Sequence, residues 1–422
     1  MASPSPILAM MEAADPTMRA YGDAPEGFTE PVMVAEQFVE LELEYAAIRK
    51  HAALLDQPQR GLLVVTGVDR LEFLGRMITQ EMKGLEPFRW RHSFWLNRKG
   101  RIDADMRVIG LPDRVVLEMD IHAVARAKKG LDAYIITEDV TLTDATQMVH
   151  RLALHGPRAI EALASIVDET PVMGGAERGA TTDRPRLHTL AQGQATTVAF
   201  GSSIITVVRD DSTGEVGLEL FVSVEGARAL YEALMGLAHD HDDVQSGAMG
   251  KPRPPMLRPI GWHAFNIARI EGGTALYNLD FGPSNLPHEC GDEVLRSRVS
   301  FKKGCYLGQE IVARMDARGH PKVRLVALAL EGPDARDEHS TPRQPVTGGP
   351  VFAPVDGKPD PNAAPIGAIT SSTVSPMRSS TPVAFAMVKY AMGEPGTNLY
   401  VAAEGRMVEA TVQEKMAFWQ RT

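Results

Sequence analysis

Apolar positions along this chain switch repeatedly between a helical spacing and a two-residue alternation, and the switches mark out its elements. In EQFVELELEYAAIRKHAALLD, Leu41, Tyr45, Ile48 and Leu55 recur at roughly helical spacing and predict one helix over the segment. GLLVVTGV predicts a strand, and DRLEFLGRMITQ a helix capped by Asp69. SFWLN, RIDADMRVIGL and RVVLEMD, separated by RKG and PDR, predict an antiparallel meander, and AVARAKKGLDAYI a following helix.

The same grammar restarts at VHRLALHGPRAIEALASIV, which reads as strand, turn and helix. SIITVVRDDSTGEVGLELFVS gives two strands around Thr213-Gly214, and ARALYEALMGL a helix. The strand-turn-helix order echoes GLLVVTGVDRLEFLGRMI and suggests a diverged internal duplication. Helices and strands mixed in this order indicate α+β rather than a doubly wound sheet. From residue 323, VRLVALALEG, PIGAITSS, VAFAMVKY and TNLYVAAEGRMVEATVQ form a strand-rich section with the pattern of a small β-barrel. Residues 332–365 within it read as a long loop, and 239–257 as a polar insertion. The expected division is a loosely held arm over 1–34, a first α+β domain over 35–148, a second over 149–320 and a barrel-like domain over 321–422.

Composition narrows the function. At 422 residues the chain exceeds one ordinary core. A formal net charge of −10 disfavours nucleic acid as the main partner. Two cysteines, Cys290 and Cys305, give no disulfide framework and point to a reducing compartment. The N-terminal MASPSPILAMMEAADP lacks a basic leader, and no run reaches the roughly 18 apolar residues of a membrane span. A cytoplasmic location with no membrane partner is the expectation.

Four stretches carry candidate chemistry. In GRIDADMRV a strand would place Asp103 and Asp105 on one face, which is either a solvated hairpin surface or a pocket wall where one aspartate meets an amine. In RIEGGTALYNLDFGPSNLPHEC, Arg269 and Glu271 precede a Gly272-Gly273 bend that shapes either a cleft wall or a plain connection bearing an ion pair. HDHDD at 239–243 sits among loop residues and offers no fixed coordination geometry, and His288, Cys290 and Cys305 lack paired metal-ligand spacing. In KKGCYLGQE, Gly304 and Gly308 permit close approach or positive φ, and Lys302 and Lys303 could favour a thiolate at Cys305, against the alternative of a cysteine packed in a turn.

KGCYLGQE, preceded by IEGG and SNLPHE, resembles the signature of YgfZ-type folate-binding proteins in the glycine-cleavage T-protein superfamily. The likeness runs from about Tyr45 to the C-terminus. It implies a three-domain cloverleaf around a central channel that admits tetrahydrofolate. T-proteins carry paired aspartates where this chain reads Ala104-Asp105, so Asp105 matches the one that binds folate and assists aminomethyl transfer. Their Tyr-Thr-Gly-Glu-x-Gly segment is similar to Ser212–Gly217 here, which keeps Glu215, the residue that approaches the pterin, and loses the tyrosine. Arg269 matches the arginine of Arg-x-Glu-x-Gly.

Lys303 and Cys305 match the YgfZ-type motif, with Gly304, Tyr306, Gly308, Gln309 and Glu310 completing it. The resemblance therefore implies a folate-binding protein, with Asp105, Glu215 and Arg269 lining the channel, that supports iron-sulfur cluster assembly or repair in client enzymes, some linked to tRNA modification. The alternative it leaves open is a folate-dependent aminomethyl- or methyltransferase, with Asp105, Lys303 and Cys305 the candidate catalytic residues.

Overall fold

A computed structural model describes residues 5–169, 184–239, 256–332, 341–360 and 362–421. The HDHDD run falls outside these apart from the last helical position, His239, as does residues 333–340 of the long loop.

Two antiparallel-rich sheets and a barrel make up the fold. The first sheet orders its strands Trp90–Leu96, Ile102–Gly110, Val115–Asp120, Arg60–Thr66 and Thr141–Asp144. Alternation gives each strand two characters. Ile102, Ala104 and Met106 point into the largest core, against helices Arg70–Met77 and Ile121–Asp132. Asp103, Asp105 and Arg107 take the opposite face, as the period of two predicts. Each fully buried Leu, Ile or Phe in that core contributes about 1.5–3 kcal/mol over an exposed position.

The second sheet runs Ala195–Phe200, Ser203–Arg209, Gly217–Ser223, Val149–His155, Ala52–Asp56 and Leu257–Pro259. Helices Ala159–Ala164 and Val224–His239 cover its outer face. The two sheets meet through an apolar rim that includes Leu62, Trp90, Ile109, Val116, Val208 and Phe221.

Three expectations change here. The predicted first helix stops at Lys50, and Ala52–Asp56, all buried, forms a strand in the second sheet. Five consecutive buried residues suit a strand covered on both faces, where helical spacing is only an accident of composition. The N-terminal segment is no loose arm: a short helix, Leu8–Glu12, puts Ile7 and Met11 at zero exposure in the second core, and Thr17–Ala20 pairs with Met33–Gln37. Asp69 does occupy the helix start, but its carboxylate accepts from the Asp139 N–H at 2.8 Å instead of capping its own helix.

The barrel closes in the order Val323–Leu330, Thr381–Lys389, Gly367–Ser375, Pro350–Phe352, Asn398–Ala403 and Arg406–Val412. Closure leaves no unpaired sheet edge. Val326, Leu328, Ala384 and Ala386 fill its interior, while Leu325, Ala327, Val383 and Phe385 on the reverse face join the largest core. That double burial explains the unbroken apolar runs LVALAL and VAFAMV. Among the described residues no helix is long and apolar enough to cross a membrane.

Candidate functional site

Between the two sheets lies a cavity of about 400 Å³, closed at one side by helix Trp262–Glu271 and the residues that follow it. Its walls mix Trp262, Phe265, Tyr277 and Met106 with a floor of charged side chains drawn from central strands of both sheets. Arg60, Arg107 and Arg151 all reach the Glu118 carboxylate. Arg107 also holds Asp210, and Arg151 holds Glu219 at 2.6 Å. Burial alone would raise the Glu118 pKa, yet Arg151, Arg60 and Arg107 outweigh it and hold the carboxyl below the ordinary carboxylate range. Asp210, opposed by burial and favoured by Arg107, is lowered to about 2.

Asp105 stands at this floor. Its two oxygens accept from Arg298 Nε at 2.9 Å and Nη2 at 3.1 Å, and both side chains are only about a tenth exposed. Arg298 ends the short helix Asp292–Arg298 and lies over the Phe94 ring at 5.8 Å. Ser297 Oγ accepts a third of its N–H groups at 2.8 Å. His92, on the neighbouring strand, is kept neutral: burial first, then Arg298, lowers its pKa to about 3. Asp103 turns away to accept from Asn97 Nδ2 at 3.1 Å.

Among the described residues that line the cavity, Gln59 Oε1, Arg107 Nε and Ser212 Oγ are buried from solvent and from the cavity space and have no hydrogen-bond partner.

The structure does not bring the other expected ligand contacts to Asp105. Glu215 has no side-chain exposure and accepts from Arg421 at 2.6 and 3.3 Å, so its carboxylate is covered by the end of the chain. Arg269, 1% exposed, donates to Asp280 at 2.5 Å, Ser371 Oγ at 2.5 Å, Thr274 O at 3.1 Å and Asn266 Oδ1 at 2.9 Å. It borders a second cavity, of about 930 Å³, which shares Tyr21 and Trp262 with the first. The ion pair considered for Arg269 and Glu271 is absent between these two: Glu271 is a buried hub that accepts from Arg49, Tyr45 and Ser375.

The KGCYLGQE segment lies outside the 400 Å³ cavity. Lys303 Nζ donates to the carbonyls of Ile78 at 2.6 Å and Gln80 at 3.0 Å, and desolvation lowers its pKa to about 8. Its ammonium is therefore directed to the end of helix Arg70–Met77 and over the Tyr306 ring, 5.1 Å away. Cys305 is exposed, and Cys290 is buried with its thiol pKa raised by desolvation. Tyr306 is buried, Gln309 N donates to Tyr306 O at 3.2 Å, and Glu310 is exposed. Gly304 has open space around it. Gly308 adopts φ +81°, and a Cβ there would stand 2.8 Å from Asn97 O, so this glycine is needed where the motif crosses the 97–100 turn of the first sheet.

Sequence reading missed Arg298, His92 and the arginine–carboxylate floor. A usable signal did exist for the floor: charges such as Glu118 in VVLEMD, Glu219 in GLELFVS and Arg151 in VHRLALH interrupt mainly apolar strands, and a charge inside a central strand needs a partner across the sheet interface.

The chain is matched by the family model for the GCVT N-terminal domain over residues 17–303 and by that for the glycine cleavage T-protein C-terminal barrel domain over 324–418. It is 27% identical over 381 residues to an aminomethyltransferase of Chlorobium chlorochromatii, covering 90% of this chain and 89% of that one. A mitochondrial aminomethyltransferase of Dictyostelium discoideum is 25% identical, with 89% and 84% covered. The crystal structure of the glycine cleavage system aminomethyltransferase T from Bartonella henselae superposes with a TM-score of 0.75 at 21% identity, over 98% of each chain. The first model takes in both sheets and the cavity between them, the second takes in the closed barrel, and the chain belongs to the glycine cleavage T-protein family.

Proposed function

We propose that this protein binds a reduced folate in the cavity between the sheets and acts as an aminomethyl- or methyltransferase of the T-protein type. Asp105 carries the reading: it is a carboxylate held in a fixed orientation by Arg298 at the floor of the cavity, in the position that the family resemblance gives to the folate aspartate. A cavity of this size falls within the range of about 300–1,000 Å³ typical of small-molecule sites. Its aromatic walls suit a flat heterocycle. Bound there, the folate would supply the nitrogens that carry the one-carbon unit. Asp105 accepts from the ligand's amine, Arg298 fixes the carboxylate, and Trp262 and Phe265 exclude water. Glu215 and Arg269 do not line this cavity, and Arg421 and Asp280 already engage them.

The test is turnover. With tetrahydrofolate and small amine or sulfonium donors, wild type forms the one-carbon folate, and Asp105→Asn at saturating folate loses that activity by about 10²-fold or more. Turnover unchanged in the variant removes Asp105 from the reaction.

A second reading rests on Cys305. An exposed thiol on the KGCYLGQE loop, apart from the cavity, suits a protein that supports iron-sulfur cluster assembly or repair in a client enzyme through transient sulfur or iron binding. It predicts that Cys305→Ser leaves folate affinity intact and abolishes support of the client's cluster. Full cluster content with that variant contradicts it.

A further inference from the structure

We propose that a smaller cavity under the N-terminal segment binds a compact monocarboxylate, with Arg60 holding the carboxylate and apolar side chains holding the body of the ligand. This site is separate from the larger cavity between the sheets and does not depend on the folate reading.

The cavity has a volume of about 210 Å³. Its N-terminal wall is fixed in place: Ile7 and Met11 are buried in the second core, and the Ser5 hydroxyl donates to Asp56 at 2.9 Å, which anchors Pro6 between them. Phe28, Ile121, Val149 and Val224 supply further apolar surface, so a ligand seated here removes its own apolar area from water.

Arg60, Thr146, Gln147 and His150 are the polar side chains of the wall. Arg60 gives Nε to Glu118, and its two terminal nitrogens have no hydrogen-bond partner among the described residues. Burial works against its charge, but Glu118 and then Asp120 outweigh burial and raise its pKa. A charged fork held at one end, with N–H groups to spare at the other, takes a carboxylate through two parallel hydrogen bonds. The Thr146 hydroxyl accepts from Leu62 N at 3.2 Å and keeps its own proton to donate.

The carboxylates that act on Arg60 and His150 are engaged elsewhere, and none lines this cavity. Asp120 accepts from Tyr21 Oη at 2.6 Å and His122 N at 2.9 Å, Asp56 from Ser5 and from His150 Nε2 at 2.6 Å, and Glu118 is shared among three arginines. The volume lies below the range of about 300–1,000 Å³ for larger small-molecule sites, which limits the ligand to one ring or a short branched chain. An inorganic oxyanion would meet Arg60 but leave the apolar wall unfilled, so the chemistry favours a carboxylate on an apolar body.

Calorimetric titration of the full-length protein with sodium benzoate, and with benzamide as its uncharged counterpart, tests this. Wild type binds benzoate with half-saturation at about 1 mM or below and benzamide at least about tenfold more weakly, because the charge-assisted pair is lost. Arg60→Gln abolishes that preference. Val224→Trp fills the cavity and Gln147→Trp covers it, both leaving Arg60 in place, and each weakens benzoate binding about tenfold or more. Gln147 is exposed, so its variant gives a result even where Val224→Trp does not fold. The inference is overturned by any of four results: no saturable binding to wild type, equal binding of benzamide, a preference retained in Arg60→Gln, or wild-type affinity for benzoate in Gln147→Trp. None of these results bears on folate in the larger cavity.

Discussion

Arg298 reaches both oxygens of Asp105 from 193 positions further along the chain, at 2.9 and 3.1 Å, and so couples the first sheet to the helix that leads into the KGCYLGQE segment. Arg298→Met leaves the carboxylate unpaired in a site largely shut off from water, at a cost of roughly 2–4 kcal/mol. Asp105→Asn with Arg298→Met costs less than that single change, since no charge is stranded. Urea unfolding of the four proteins in this double-mutant cycle checks it, and additive losses contradict the coupling.

Lys303 sets a pH dependence. Desolvation lowers its pKa from 10.5 to about 8, below the value in the unfolded chain. Between about pH 8 and 10.5 the unfolded state therefore binds more protons at this group, so its contribution to stability rises with pH across that window. Below pH 8 both states are protonated and the full desolvation cost remains. Wild type gains stability relative to Lys303→Met between pH 8 and 10; a difference that stays flat or reverses contradicts the assignment.

Gly308 is a steric requirement of the loop. With φ at +81° and Asn97 O 2.8 Å from a built Cβ, Gly308→Ala combines backbone strain with a clash against main chain and destabilises the protein by about 1–3 kcal/mol. Gly304→Ala, with nothing within 4 Å, falls within about 0.5 kcal/mol of wild type. Thermal unfolding of both variants distinguishes the positions, and equal melting temperatures contradict the contrast.

The two thiols differ in access. Cys305 is exposed, whereas Cys290 is buried, its pKa raised, with its sulfur 3.6 Å from Leu286 O. Ellman's reagent modifies Cys305 rapidly in the native protein and Cys290 on unfolding. Rapid modification in folded Cys305→Ser shows the burial assignment to be wrong.

What was legible in the sequence was local. The meander from Ser93 to Asp120, the shared face of Asp103 and Asp105, and the barrel all follow from periodicity and turn residues, which act over a few positions. What was not legible is contact at long range. Ala52–Asp56 shows helical spacing by itself and becomes a strand only because Val149–His155 pairs with it. Ile7 and Met11 look like stray apolar residues in a polar arm until the second core receives them. Arg298 sits in DEVLRSR, a segment of ordinary surface composition, and only folding brings it to Asp105. Glu215 was identified by its motif, yet its partner, Arg421, lies at the far end of the chain.

The central claim is that the cavity floored by Asp105 holds a reduced folate, and isothermal titration with tetrahydrofolate tests it most directly. Wild type is expected to bind in the micromolar range or tighter, with Asp105→Asn weaker by about tenfold, the loss of one charge-assisted hydrogen bond. Binding equal in the two proteins would place the ligand elsewhere, and no binding to wild type by tetrahydrofolate or its methylene and formyl forms would contradict the account.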